Sequence, residues 1–212
     1  HDVGRFEQIK RYNTFSDADS VDHAKFGADL LFKDGLISTF LNGMVKCTGY
    51  KPGALEDRYS SDGVFLYDRL NKSDMEMLEL AIRCHNMYRI PQGLNRREQA
   101  FCNVLRDADK VDIFKVNIDT LLEEIYNTTT EELMKSDITD EVLEAFGEEH
   151  CIPKAIRRTP ADTVIGHVSL AYELVYDESV RITVEQGYLA KLMHFHSCLL
   201  YTSPSPRDRT RS

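Results

Sequence analysis

The chain has no tryptophan, no Cys-x-x-Cys pair, no Gly-x-Ser-x-Gly elbow, no P-loop and no run of about 18 apolar residues. Each absence removes a class of protein. Without the long apolar run, no membrane-spanning helix is expected. Without the elbow or the P-loop, neither a serine-hydrolase nor a P-loop nucleotide site is indicated. The five cysteines stand at positions 47, 84, 102, 151 and 198. Their odd number and wide spacing exclude a disulfide framework and a zinc ribbon. Reduced, mostly buried thiols in a cytoplasmic protein are expected instead. Positive charge is also scarce: 26 Lys and Arg against 35 Asp and Glu give a formal net charge of −9. Such a balance argues against general duplex binding, which needs clustered cations to neutralise phosphates. It leaves room for a small anionic substrate, because a bound metal inverts the local field.

What remains is a soluble, globular composition of 42% apolar and 29% charged residues over 212 positions, enough for one domain with or without an appendage. Strand patterning is nearly absent; "VRITV" alone is ambiguous. The helical period dominates. In residues 22–35, Phe26, Ala28, Leu30 and Leu31 share a face, and Gly35 can end the helix. Residues 47–65 carry three Gly and a Pro and read as a loop or short helical turns. Ser73 with Glu76 predicts a capping box and a helix to about His85, interrupted by Pro91 and Gly93. Asn95 with Glu98 opens the next helix. After about residue 117 the texture turns acidic, with short helices capped by Thr129 and Thr139. Thr159 and Pro160 open a long helix, and a last one covers roughly 179–195. The fold class expected is all-α, a helical bundle over 1–117 with extra C-terminal helices over 118–197.

The two ends depart from this texture. The sequence begins at His1 without a Met, as a piece of a longer chain would. The stretch "CLLYTSPSPRD" resembles one reading frame of a sequencing-library adapter, so 198–212 is expected to be a non-native, disordered tail.

Chemistry concentrates in imidazoles and carboxylates, which together bind first-row divalent metals. His1 and Asp2 are adjacent, and His23, His85 and Asp109 follow on separate predicted helices. A bundle builds a metal site in this way, from side chains of several helices converging on its core. A histidine in such a bundle can equally be a core residue bonded to a backbone carbonyl.

"HDVGRF" resembles the signature of the HD-domain metal-dependent phosphohydrolases, whose ligand pattern is H…HD…D. "DADKVD" is similar to the family's final aspartate motif and aligns Asp109 with the last ligand, leaving Asp107 as a partner for an N–H or a Lys. "DHAKFGADLLF" resembles the helix that follows the HD pair in two-metal members, with His23 in the extra-ligand position. "HNMYRIPQGL" is similar to the His-His stretch of HD-GYP phosphodiesterases, with Asn86 in place of the second His and Arg89-Ile90-Pro91 near the place of the triplet. These motifs cover residues 1 to about 117.

The resemblance implies an HD-domain bundle and one or two divalent ions (Mn, Fe, Co, Ni, Zn or Mg) held by His1, Asp2, His23, His85 and Asp109. It implies that Asp2 can bridge two ions, that Asp2 and His85 serve catalysis, and that a first His lies upstream of residue 1. The activity implied is hydrolysis of a small phosphate ester, a nucleotide or a phosphodiester, by metal-activated water. The alternatives are a regulatory module of the same fold that binds metal or nucleotide without turnover, and a purely structural helical domain. Arg5, one turn after the pair, is a candidate phosphate contact or a partner for Asp2. Arg157 and Arg158, just before a helix start, are candidates of the same kind.

Overall fold

The computed structural model describes residues 1–39, 71–120, 122–126 and 128–194, and among these every regular element is a helix. The loop expected over 47–65 and the tail from Cys198 lie outside the described residues. The chain divides into two compact units, His1–Leu105 and Arg106–Ser212.

In the first unit, α1 (Val3–Tyr12) and α2 (His23–Ala28) are followed by α3 (Lys72–Cys84) and the start of α4 (Arg96–Asp119). Its core gathers Ala28, Leu31, Ile37 and Ile82, with Val3, Phe32, Met75, Leu78 and Leu105 packed around them. The helix expected over 22–35 is present but changes pitch, running as a π-helix over Asp29–Lys33 before Gly35 at φ 78°. Asp22 caps α2 by accepting from the Ala24 and Lys25 N–H groups. Arg83 on α3 ties down the pitch change by pairing with Asp29 and Glu79 and donating to the Lys25 carbonyl. The cap of α3 differs from the expected one. Asn71, not Ser73, accepts from the Asp74 N–H, so the helix starts two positions earlier and Ser73 falls inside it. Asn95 caps α4 as its sequence suggests, accepting from the N–H groups of Arg97 and Glu98 while Glu98 reaches back to the Asn95 N–H.

The division falls within α4 because its two halves serve different cores. Leu105 packs into the first unit. Phe114, on the second half, is buried with Leu133, Val164, Val168 and Leu192. That second core draws on α5 (Leu122–Tyr126), α6 (Thr130–Lys135), α7 (Asp140–Gly147), α8 (Pro160–Val168) and α10 (Tyr188–Met193), with α9 (Asp177–Gln186) preceding α10 in the chain. Thr129 makes the expected capping box with Glu132, and Thr159 makes one with Asp162 behind Pro160.

Thr139 does not cap with its side chain. Asp162 serves there instead, accepting from the N–H groups of Thr139, Arg158 and Thr159. Burial alone would raise the Asp162 carboxyl, but those bonds outweigh it and hold the group below the usual range. The long helix expected after Pro160 tightens into a 3₁₀ turn at Ser169, whose hydroxyl donates to the Gly166 carbonyl. The last expected helix is two helices broken at Gly187, φ 69°. "VRITV" is helical, inside α9.

Asn117, Tyr126 and His167 form a polar knot in the second unit. The Asn117 carbonyl oxygen accepts from the Tyr126 hydroxyl and from His167 Nδ1 at 3.0 Å. Burial, reinforced by the charges of Arg157 and Lys154, pushes His167 down to about 3. The unfolded chain therefore takes up a proton near its ordinary value of about 6.5 while the folded chain does not, and stability falls as pH falls. Between pH 7 and pH 5 the unfolding free energy should drop by about 2 kcal/mol from this group. Denaturant titrations at the two pH values check this. His167→Phe, which cannot take a proton, should remove that part of the slope; an unchanged slope would refute the assignment.

Candidate metal centre

Asp2 stands at the N-cap of α1, where an aspartate ordinarily accepts from the first free N–H groups. Its carboxylate makes no such bond. It turns instead to three imidazoles. Oδ2 lies 3.1 Å from His1 Nε2, and Oδ1 lies 3.4 Å from both His23 Nε2 and His85 Nε2. The two latter nitrogens are 3.1 Å apart. Three elements converge here: α1 brings the pair at its start, α2 begins at His23, and His85 closes α3.

The proton positions follow from the partners. His23 Nδ1 is 2.7 Å from Asp17 Oδ2, and His85 Nδ1 is 2.7 Å from the Ile82 carbonyl. Both partners only accept, so a neutral ring carries its proton on Nδ1 and directs a lone pair from Nε2 into the site. Asp2 Oδ1 is buried and has no hydrogen-bond donor. With both rings neutral, three acceptor atoms face one another with no hydrogen between them, an arrangement that costs free energy unless a cation joins them. Burial pushes the His23 imidazole toward its neutral form, with help from the Arg5 charge and against the opposing pull of Asp17. Burial would raise the Asp2 carboxyl, but its contacts with His1 and His85 outweigh that and hold it well below the usual range.

The spacing suits a metal ion. Ligands about 2.0–2.1 Å from an ion are about 3.0 Å apart at octahedral right angles and about 3.3 Å apart in a tetrahedron. The observed separations of 3.1 to 3.4 Å lie at those values. One ligand atom each from His1, Asp2 and His85 also lies within 4.8 Å of the others. Asp17, Asp22 and His23 form a second close group. There Asp22 caps α2, and Asp17 bonds the outer nitrogen of His23. That group shares His23 with the Asp2 cluster and backs it through Asp17.

Within the first unit, the structure therefore brings together His1, Asp2, His23 and His85, all singled out in sequence. Asp109 lies on α4 one turn past Leu105, in the second unit. Its neighbour Asp107 is buried and accepts from the N–H groups of Val175 and Tyr176. Arg5 directs Nη1 to Asp17, Gln8 and the Phe15 carbonyl, so it reaches the cluster through Asp17. Arg157 lies over Gly166 and donates to the carbonyls of Ile152 and Gly166; Arg158 pairs with Glu141. Asn86, in the place of the second His, donates to the Asp22 cap at 3.1 Å.

Sequence reasoning missed Asp17 and Gln8. Asp17 is one of three aspartates between residues 17 and 22, and no spacing separates it from the others. Gln8 is a fully buried polar residue on a short helix with little apolar pattern to mark its inner face.

No protein-family model matches the chain, and neither does any curated protein or any solved structure. The class the geometry defines is an all-α protein with a carboxylate–imidazole cluster that fits a divalent cation. Cys84, Cys102 and Cys151 are buried, and none takes part in that cluster. No helix among the described residues is long and apolar enough to cross a membrane.

Proposed function

We propose that the chain carries the metal-binding core of a metal-dependent phosphohydrolase that cleaves a small phosphate ester, a nucleotide or a phosphodiester, in the cytoplasm. The observation that carries this reading is the convergence of Asp2 Oδ1, His23 Nε2 and His85 Nε2 at 3.1 to 3.4 Å, with Asp2 Oδ1 buried and without a hydrogen-bond partner.

In this reading His1, Asp2, His23 and His85 hold the metal, and the HD-domain resemblance adds Asp109. A divalent ion there supplies Lewis acidity, making water nucleophilic near neutral pH and offsetting charge on phosphoryl oxygens. The chain's residues do the rest. Asp2 offers Oδ2 on the side of His1 and Oδ1 on the side of His23 and His85, the disposition a carboxylate needs to serve two neighbouring ions. His85 is pinned through Nδ1 to a backbone carbonyl, so its Nε2 is fixed toward Asp2 Oδ1 and His23 Nε2. Neither the cysteines nor a serine is needed as a nucleophile.

The test is to dialyse the chain against Mn²⁺ or Zn²⁺, measure bound metal, and assay phosphate release across nucleotides and phosphodiesters. One or two ions per chain with metal-dependent release is expected. A chain that stays metal-free would refute the reading. Bound metal with saturable nucleotide binding and no product would favour a regulatory module of the same fold. One observation supports that second reading: Asn86 is engaged at a helix cap and contributes no ligand atom.

A further inference from the structure

The two buried imidazoles of the centre are held in different ways. His85 leans on a neutral carbonyl, that of Ile82. His23 leans on a carboxylate, that of Asp17, at 2.7 Å. Asp17 is itself held from the far side. Its Oδ1 accepts from Arg5 Nη1 at 2.9 Å and from Gln8 Nε2 at 3.0 Å, leaving Oδ2 for His23. Gln8 is fully buried and also donates to the Ser20 hydroxyl and the Val21 carbonyl, both at 2.9 Å. The segment between α1 and α2 is thereby folded back on α1, with one carboxylate fixed behind one imidazole.

We infer that Asp17 is a positioning residue for His23. It fixes the Nδ1–H tautomer and so keeps the Nε2 lone pair in the metal site, with Arg5 and Gln8 deciding which of its oxygens faces the ring. The inference rests on the metal reading for its consequence, but the tautomer can be observed without any metal. It gives Arg5 a role in placing His23 in addition to the phosphate contact the sequence suggested. It also gives a reason for a buried glutamine on α1: with its amide satisfied on several sides, the carboxylate behind His23 cannot rotate away.

The decisive substitution is Asp17→Asn, because it preserves shape. Arg5 and Gln8 are both donors, so the asparagine must turn its carbonyl oxygen to them and its NH₂ to His23. An NH₂ facing Nδ1 forces the ring proton to Nε2, where it blocks the lone pair. In ¹⁵N NMR of the metal-free full chain, His23 of the wild type should be the Nδ1–H tautomer, and that of Asp17→Asn the Nε2–H tautomer. Affinity for Mn²⁺ or Zn²⁺ should fall about 10- to 100-fold in Asp17→Asn and recover in part in Asp17→Glu. A wild-type His23 protonated on Nε2 would overturn the inference without recourse to any variant. So would a variant that keeps both tautomer and affinity. If the wild type shows the Nδ1–H tautomer and binds no metal, the metal reading fails while the orienting role of Asp17 stands.

Discussion

Asp2→Ala should leave a folded chain that no longer holds a divalent ion. The expected loss of Mn²⁺ or Zn²⁺ affinity exceeds the roughly 100-fold typical of an outer-shell residue, because both carboxylate oxygens face imidazoles directly. Metal-dependent phosphate release should fall to background. The fold should survive because the Asp2 side chain is 44% exposed and caps nothing. Its main contribution to α1 is a negative charge at the helix start, worth about 0.3–1 kcal/mol.

Asp2→Asn sharpens the case. An amide in that position can donate to the Nε2 lone pairs that the carboxylate leaves facing an acceptor. The metal-free variant should therefore be more stable than the wild type by about 1 kcal/mol, the ordinary worth of a buried hydrogen bond, while metal binding is lost. Opposite movement of stability and binding is what a site strained for its ligand produces, and a structural aspartate does not produce it. Isothermal titration with Mn²⁺ and urea denaturation of the metal-free chain measure the two sides. Wild-type affinity in Asp2→Ala would end the assignment.

The candidate ligands were legible because their signals are local. An adjacent His-Asp pair, a His at a capped helix start and a His at a helix end can each be placed from the apolar period and a resemblance of motifs. The caps at Asn95, Thr129 and Thr159 were legible for the same reason: acceptor and N–H lie within three residues of each other. Relations between distant residues were not legible. Asp162 takes over at Thr139 across 23 positions, so no local pattern gives the expected Thr139 cap away. Asp17 becomes distinct from Asp19 and Asp22 only once α1 has supplied Arg5 and Gln8 on one side of it. The break at Gly187 was hidden because an apolar period can run through a left-handed residue that stops the helix. Asn71 and Ser73 are both good caps, and the choice between them was not settled by composition.

Gly4→Ala should show how closely the candidate metal centre depends on one helix crossing. Helix propensity alone favours the change: alanine in place of glycine inside a helix gains about 0.5–1 kcal/mol. The packing predicts the opposite sign. A Cβ on Gly4 would stand 2.2 Å from the His23 carbonyl oxygen, 2.8 Å from Gly27 N and 3.0 Å from Gly27 Cα. All three are backbone atoms of α2 and cannot rotate aside as a side chain would. The helices must separate, and overpacking of this kind costs about 1–3 kcal/mol or more. Separation also carries Asp2 away from His23, two residues before Gly4 on one side and at the clashing carbonyl on the other. A displacement of about 1 Å in such a constellation costs about 100-fold in turnover. Gly27→Ala meets the same crossing from the other side, with Gly4 N at 2.9 Å. Once either substitution has parted the helices, the second should cost little, so the double variant should be markedly less destabilised than the sum of the two. Urea denaturation of the three variants, with Mn²⁺ affinity measured on each, tests this. A Gly4→Ala chain as stable as the wild type, still binding metal, would mean that α1 and α2 do not cross at this distance and that the imidazole cluster is not held by their contact.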